Sequence, residues 1–169
     1  VWMLEGHWGE RGAVLASVRA AEIEELTPRE RFLVRYNLAQ IDHGREDAEW
    51  VLADYLESHP RDPYALWAKC HQAWMEKDWQ EAEACYERLL EVDPNWVQAR
   101  NHLGYIAMAQ GRFGEAEELF ETYLYVAPDQ ANPHDSLGEL LTVVGRYEEA
   151  EEQFERALAQ LSPGSHQIT

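Results

Sequence analysis

The sequence predicts an all-α protein built as a solenoid of antiparallel helix pairs. The chain matches itself at a shift of 34 residues, so that four copies of one repeat follow each other. Small residues recur in one column and prolines in another. Apolar residues between these markers follow the 3.6-residue period of a helix. Each copy is therefore expected to form two helices that bury one face.

Three columns carry the 34-residue period. Alanine recurs at Ala48, Ala82, Ala116 and Ala150, leucine at Leu56, Leu90, Leu124 and Leu158, and proline at Pro60, Pro94 and Pro128. Within one copy, Ala116, Phe120 and Leu124 are spaced by four residues and share a helical face. A small residue in this column lets a neighbouring helix approach closely. We expect Gly104 and Gly138 of the preceding helices to supply small residues opposite the alanines.

Turn and cap residues mark the helix ends. Gly111 and Gly145 interrupt the helical pattern where a glycine can end a helix in the left-handed conformation. Asp62 and Asn132 each precede a proline, which is typical of an N-cap followed by the first helical residue. The segment 27–30, Thr-Pro-Arg-Glu, reads as a capping box that opens another helix.

At these residues the chain resembles the tetratricopeptide repeat (TPR) family. The third copy carries the family pattern as Leu103, Gly104, Gly111, Phe113, Ala116, Phe120 and Pro128. The fourth carries it as Leu137, Gly138, Gly145, Tyr147, Ala150, Phe154, Ala157 and Leu158. The first two copies match the family pattern less well. In the second copy, Cys70 replaces the glycine of the first helix and Lys77 replaces the glycine of the turn. The resemblance implies a right-handed α-solenoid, a TPR-like superhelix.

The register of the repeats predicts the domain organisation. Residues 1–27 are interpreted as a degenerate half-repeat or an N-terminal helical extension, and residues 164–169 as a polar tail. The four repeats are expected at 28–61, 62–95, 96–129 and 130–163.

Composition limits the classes of partner. The chain has 32 acidic and 14 basic residues among 169, a formal net charge of -18, which disfavours binding to a nucleic-acid phosphate backbone. Charged residues interrupt every hydrophobic stretch, so no membrane span is expected. Residues 1–10 show no targeting peptide, and a cytoplasmic location is favoured. Cys70 and Cys85 could approach each other across one hairpin, but we expect buried thiols that fill small packing sites.

No catalytic motif is present in the sequence. It contains no glycine-rich phosphate loop, no GxSxG, no HExxH and no paired cysteine ligands, so neither an enzyme nor a cofactor is expected. His71, His102 and Glu139 could in principle hold a metal ion. The preferred interpretation is that they are hydrogen-bonding groups facing a ligand, with no metal.

The resemblance implies that the first helix of each repeat lines a concave groove that binds a peptide segment or protein surface. The groove positions are Leu33, Asn37, Gln40, Tyr64, Trp67, His71, Trp74, Met75, Asn101, His102, Tyr105, Met108, Asp135 and Glu139. Exposed aromatic and methionine side chains suit peptide anchors. Trp74 is the first choice of hot spot, whereas the alternative is that Trp67 and Trp74 are core residues between repeats. Asn37 and Asn101 could bind a ligand backbone through their amides.

Some family members clamp a C-terminal carboxylate with Lys, Arg and Asn. Here Asn37 keeps that pattern, but Leu33, Ala68, Gln98 and His102 stand where the other clamp residues would be. The expected partner is therefore a protein or peptide with apolar anchors and basic flanks. The function predicted is that of an adaptor or scaffold. The alternative is a repeat domain that self-assembles or packs on an attached domain.

Overall fold

The structure is a computed structural model in which residues 25–42 and 45–161 are described. The described residues form helices joined by short turns, without strands in these two ranges. The helices are α1 (Pro28–Asp42), α2 (Arg45–Ser58), α3 (Pro63–Glu76), α4 (Trp79–Val92), α5 (Val97–Ala109), α6 (Phe113–Val126), α7 (Ala131–Val143) and α8 (Tyr147–Leu161). The predicted N-terminal segment, apart from its last three residues, and the predicted tail lie outside the described residues. No helix in the described part is long and apolar enough to cross a membrane.

The chain divides into two compact units, Val1–Ala65 and Leu66–Thr169. Unit 1 contains the packed pair α1 and α2 together with the first turn of α3. Unit 2 contains the rest of α3 and α4 to α8, in which α5 packs on α6 and α7 packs on α8. The all-α fold of paired helices confirms the predicted class, a TPR-type solenoid.

The buried carboxylate of Asp62 connects three helices of unit 1 through hydrogen bonds. Asp62 is almost fully buried, and one of its oxygens accepts hydrogen bonds from the backbone amides of Tyr64 and Ala65, at 3.0 and 3.2 Å. Its other oxygen accepts from Arg29 Nε at 2.7 Å and from the Tyr55 hydroxyl at 3.2 Å. The predicted N-cap is confirmed. Because a buried charge needs both pairing and hydrogen bonds, Asp62 also ties the starts of α1 and α3 to the end of α2.

The capping box at the start of α1 is also confirmed. The Thr27 backbone amide donates to Glu30 Oε2 at 2.9 Å, and the Glu30 amide donates to Thr27 Oγ1 at 3.3 Å. The prediction at Asn132 was wrong. Helix α7 begins at Ala131, two residues before the predicted start at Pro133, and the Asn132 side-chain amide donates to the hydroxyl of Tyr123 at 3.3 Å.

The turns inside the repeats follow the predicted backbone geometry. Gly111 and Gly145 have φ angles of 75° and 81°, in the left-handed region that glycine adopts without steric cost. Lys77 stands at the same point of its repeat and takes φ 61°. The position therefore determines the conformation even where the residue is not glycine.

The close contact between paired helices differs from the predicted one. A Cβ atom added at Gly104 would lie 2.4 Å from Phe120 Cε1, and one added at Gly138 would lie 2.7 Å from Phe154 Cε1. Each glycine thus lies against an aromatic ring of the second helix. Small residues were expected to face small residues, but a ring fills the space that the missing side chain leaves.

The cysteines form a disulfide bond between α3 and α4, so the expectation of free thiols was wrong. The Cα atoms of Cys70 and Cys85 are 5.2 Å apart, and both residues are buried. This separation lies within the range that a disulfide requires. Sequence separation alone could not show that the two side chains point at each other across the hairpin.

Two ion pairs repeat with the period of the sequence. Arg112 pairs with Glu83 of the preceding repeat and with Glu115 of its own helix. Arg146, 34 residues later, pairs in the same way with Glu117 and Glu149. Such exposed pairs add little to stability because water and salt screen them. The pairs with Glu83 and Glu117 link each arginine to the preceding repeat.

The glycine contact leads to a prediction for the Gly104→Ala variant. The added methyl group cannot fit against the buried Phe120 ring, so overpacking should lower the free energy of unfolding by about 1–3 kcal/mol. Urea unfolding followed by circular dichroism measures the change. Gly114→Ala is the matched control, because nothing lies within 4 Å of its added Cβ and alanine favours the helix. Equal losses in both variants would contradict the packing argument.

Candidate functional site: an aromatic surface on unit 2

Five partly exposed rings lie together on unit 2. Trp67, His71 and Trp74 belong to α3 at spacings of four and three residues, and His102 and Tyr105 belong to α5 at a spacing of three. These spacings place each set on one face of its helix. We call these five residues the aromatic surface.

His102 lies at the centre of the aromatic surface. Its ring centroid is 4.6 Å from that of Trp74, 5.3 Å from that of Trp67 and 6.0 Å from that of His71. Behind it, the ring of Tyr86 from α4 stacks at 5.0 Å with an interplanar angle of 18°. Trp74 also meets Tyr105 edge-on at 6.5 Å. The rings therefore form one contiguous cluster from α3 to α5.

Burial keeps His102, the central histidine of this cluster, uncharged at neutral pH. Burial, with a smaller effect from His71, lowers the pKa of His102 to about 4. Burial also lowers the pKa of His71. Within residues 25–42 and 45–161, the buried atoms His102 Nδ1 and Tyr86 Oη find no hydrogen-bond partner. The site thus presents neutral rings, which favour apolar and aromatic contacts over ionic ones.

One edge of the aromatic surface is acidic. Asp135 and Glu139 lie one turn apart on α7 and are exposed. The Tyr105 hydroxyl donates to Ser136 Oγ at 3.2 Å. Burial raises the pKa of Tyr105, the hydrogen bond with Ser136 partly offsets this rise, and the negative charges of Glu139 and Asp135 raise the pKa further. Among the described residues, no lysine or arginine forms an ion pair with Asp135 or Glu139.

The other predicted groove residues of unit 2 have different surroundings. Met75 is exposed, whereas Met108 packs against the core of α5 to α8 and is only partly accessible. Asn101 is half-buried, and its Oδ1 has no hydrogen-bond partner among the described residues. The structure therefore brings Trp67, His71, Trp74, His102 and Tyr105 together, and it leaves Met108 half-buried against the core.

The predicted groove residues of unit 1 form no comparable cluster. Leu33 and Asn37 are half-buried, and the Asn37 amide donates to the Leu33 carbonyl of its own helix at 2.6 Å. Gln40 is exposed. Tyr64 is exposed, with the Arg29 guanidinium 5.2 Å from its ring centroid. Because the Asn37 amide is already bound, it is less suited to a ligand backbone than expected.

Sequence reasoning missed two features near these sites. The first is Tyr86, which shares its repeat position with Phe120 and Phe154 and was not predicted to lie at the site. In unit 1, a cleft of about 500 Å³ between α1 and α2 is lined mainly by apolar side chains, among them Phe32 and Trp50. The sequence signal for this cleft was the tryptophan at position 50. In the structure its side chain lines the cleft and is 68% exposed.

The described ranges contain no group of three or more His, Cys, Asp or Glu residues placed to hold a metal ion. The fold and the aromatic surface define a helical-repeat protein with a contact surface for other molecules. Sequence profiles described as tetratricopeptide repeat match residues 73–135 and 135–159, together 87 of the 169 residues. The chain belongs to the tetratricopeptide repeat family. Its general function is that of a protein-interaction module.

Solved structures show the same fold. A crystal structure of MamA is 18% identical, with a TM-score of 0.66, over 90% of this chain and 89% of that one. MamA from residue 41 onwards, from Desulfovibrio magneticus RS-1, is 18% identical with a TM-score of 0.67, over 80% and 77%. An O-GlcNAc transferase mutant from Thermobaculum terrenum is 26% identical with a TM-score of 0.56, over 59% of this chain and 19% of that enzyme. No curated protein matches the chain.

The lowered pKa of His102 leads to a prediction about acid stability. Above pH 6.5 the histidine is neutral in both states, but between about pH 6.5 and 4 only the unfolded state binds the proton. The free energy of unfolding should therefore fall by about 2 kcal/mol between pH 7 and pH 5 because of this group. Urea unfolding at both pH values measures the loss.

His102→Phe is the control for this prediction, since it keeps a ring of similar shape without a titrating proton. Both proteins share the titration of every other group, including His71. The wild type should lose more stability than the variant over this pH interval. An equal loss would mean that His102 titrates normally in the folded protein.

Proposed function

We propose that the protein binds a peptide segment or protein surface through the aromatic surface of unit 2, as an adaptor or scaffold. The observation that carries this proposal is the convergence of five partly exposed rings from two helices around the neutral His102. An apolar side chain of a ligand would lie against Trp74 and Trp67.

Ring packing supports binding through this surface. A core residue needs only to fill space between helices, whereas Trp67, Trp74 and Tyr105 keep part of their rings in contact with solvent. Rigid rings that are already held in place lose little conformational freedom when a ligand binds. Asn101, with an unpaired buried oxygen, would accept a hydrogen bond from a ligand amide.

The acidic edge selects the charge of the ligand. Asp135 and Glu139 are exposed beside Tyr105 and form no ion pair with a described cation. A lysine or arginine next to the apolar anchor would find two carboxylates and the face of Tyr105. The ligand proposed is therefore a peptide with an apolar or aromatic anchor and a basic flank.

Binding without catalysis is part of the proposal. Burial lowers the pKa of His102, at the centre of the aromatic surface, to about 4, so this histidine is neutral at pH 7. Neutral rings offer a ligand apolar contact area. They do not stabilise the charge that develops in the transition state of a reaction. This chemistry suits recognition.

The test is a panel of 12-residue peptides, each with one Leu, Phe or Trp anchor and lysine, glutamate or serine flanks. We expect the lysine-flanked peptides with aromatic anchors to bind best, as measured by fluorescence anisotropy. In Trp74→Ala the dissociation constant should rise about tenfold or more, because a central aromatic contact is lost. Trp50→Ala, an exposed tryptophan of unit 1, should leave it unchanged.

The charge contribution has its own matched pair of variants. Asp135→Asn with Glu139→Gln should weaken lysine-flanked peptides about three- to tenfold at low salt, with a smaller effect at high salt. Glu87→Gln with Glu91→Gln makes the same charge change on exposed positions of α4, one turn apart. If both double variants weakened peptide binding equally, only the net charge of the protein would affect affinity. That result would contradict a specific contribution of Asp135 and Glu139.

Self-association is the second candidate, and exposed apolar residues at the end of unit 2 favour it. Val143, Tyr147 and Leu161 are 57%, 67% and 71% exposed. Sedimentation velocity over a hundredfold range of concentration separates the two functions. A stable oligomer together with no binding in the peptide panel would favour assembly over ligand capture.

A further inference from the structure

The second repeat is held together differently from the repeats that follow it. Where the third repeat has Gly104 against Phe120, the second has Cys70 and Tyr86, 34 residues earlier in each case. The disulfide to Cys85 lies beside this position. The α3–α4 hairpin is thus joined by a covalent bond. In the α5–α6 and α7–α8 hairpins, an aromatic ring of the second helix packs against a glycine of the first.

The presence of Cys70 affects where the Tyr86 ring can lie. A Cβ at the equivalent glycine would be only 2.4 Å from the Phe120 ring, so Cys70 and Tyr86 cannot pack with the geometry of Gly104 and Phe120. Tyr86 instead contacts Trp67 at 5.7 Å and stacks on His102 at 5.0 Å. Phe120, by contrast, meets Tyr105 edge-on at 5.2 Å.

Chain connectivity couples the disulfide to the aromatic surface on both helices. Cys70 directly precedes His71 and lies between Trp67 and Trp74 on α3, while Cys85 directly precedes Tyr86 on α4. Both cysteines are buried, at 0% and 7% exposure. After reduction the two sulfur atoms are no longer bonded and must lie at van der Waals distance from each other. Because the interior is closely packed, this larger separation requires α3 and α4 to move apart.

We propose that the Cys70–Cys85 disulfide is a redox-sensitive element whose reduction loosens the α3–α4 hairpin and disorders the aromatic surface. The consequence for ligand binding rests on the proposed function, whereas the structural effect does not. A protein with the bond intact has the ring cluster described above, and the reduced protein has a mobile hairpin in its place.

The reaction is a thiol–disulfide exchange with a dithiol reductant. One thiolate of the reductant attacks a cysteine sulfur, the S–S bond breaks, and the other cysteine leaves as a thiolate that takes up a proton. The second thiolate of the reductant then attacks the mixed disulfide and closes a cyclic disulfide. The protein gains two electrons and two protons, and the reductant loses the same number.

Dithiothreitol is the probe, because Cys70 and Cys85 are the only cysteines of the chain. Mass spectrometry after alkylation first shows whether the native protein accepts two thiol adducts. In the reduced protein we expect the thermal midpoint to fall by about 6–12 °C, as follows for a loop of this size. Amide hydrogen exchange in α3 and α4 should accelerate at least tenfold, with α7 and α8 little changed.

The matched control is Cys70→Gly with Cys85→Ala, which restores the glycine found at Gly104 and Gly138. This variant should keep its thermal midpoint and exchange pattern when dithiothreitol is added. Cys70→Ala with Cys85→Ala serves the same purpose if the first variant does not fold. Neither measurement needs a ligand, so a failed peptide panel leaves this test intact.

Two results would overturn the inference. One is a wild-type bond that stays closed in dithiothreitol until the protein unfolds, which would make it inert in the native state. The other is complete reduction with an unchanged thermal midpoint and unchanged exchange in α3 and α4. If the lysine-flanked peptides bind the oxidised protein, a loss of affinity on reduction extends the result to the proposed function.

Discussion

The close approach of the two helices of a hairpin is the contact on which unit 2 depends. Gly104 and Gly138 leave a space on the first helix, and Phe120 and Phe154 fill it from the second. Since an added methyl group would overlap the ring, the distance between the helices is set by this pair. The turns at Gly111 and Gly145 then need the left-handed conformation to bring the second helix back at that distance.

The aromatic surface follows from the one repeat that departs from this arrangement. In this repeat cysteine replaces the glycine, the ring of Tyr86 stacks on His102, and His102 in turn lies among Trp67, His71 and Trp74. Burial among rings removes the charge from the histidine. A change in the packing of one hairpin thus determines the electrostatics of the candidate site.

Local signals in the sequence were reliable where one or two residues control the backbone. The capping box at Thr27 and the N-cap at Asp62 formed as predicted because each depends on groups within four residues. The N-cap prediction at Asn132 was wrong, because its side-chain amide donates to the Tyr123 hydroxyl and does not cap the helix. Met108, predicted to lie in the groove, is half-buried and packs against the core of α5 to α8, as Tyr105 does.

The sequence alone determined the all-α class, the 34-residue repeat and the turn positions, because a repeated pattern of small, apolar and turn residues restricts helix faces and helix ends. It also identified Trp67, His71, Trp74, His102 and Tyr105 as candidates, since the repeat register assigns them to first helices. Only the tertiary structure decided that Cys70 and Cys85 are bonded and that His102 is enclosed by rings. These facts depend on distances between side chains that are far apart in the chain, and a one-dimensional pattern does not contain such distances.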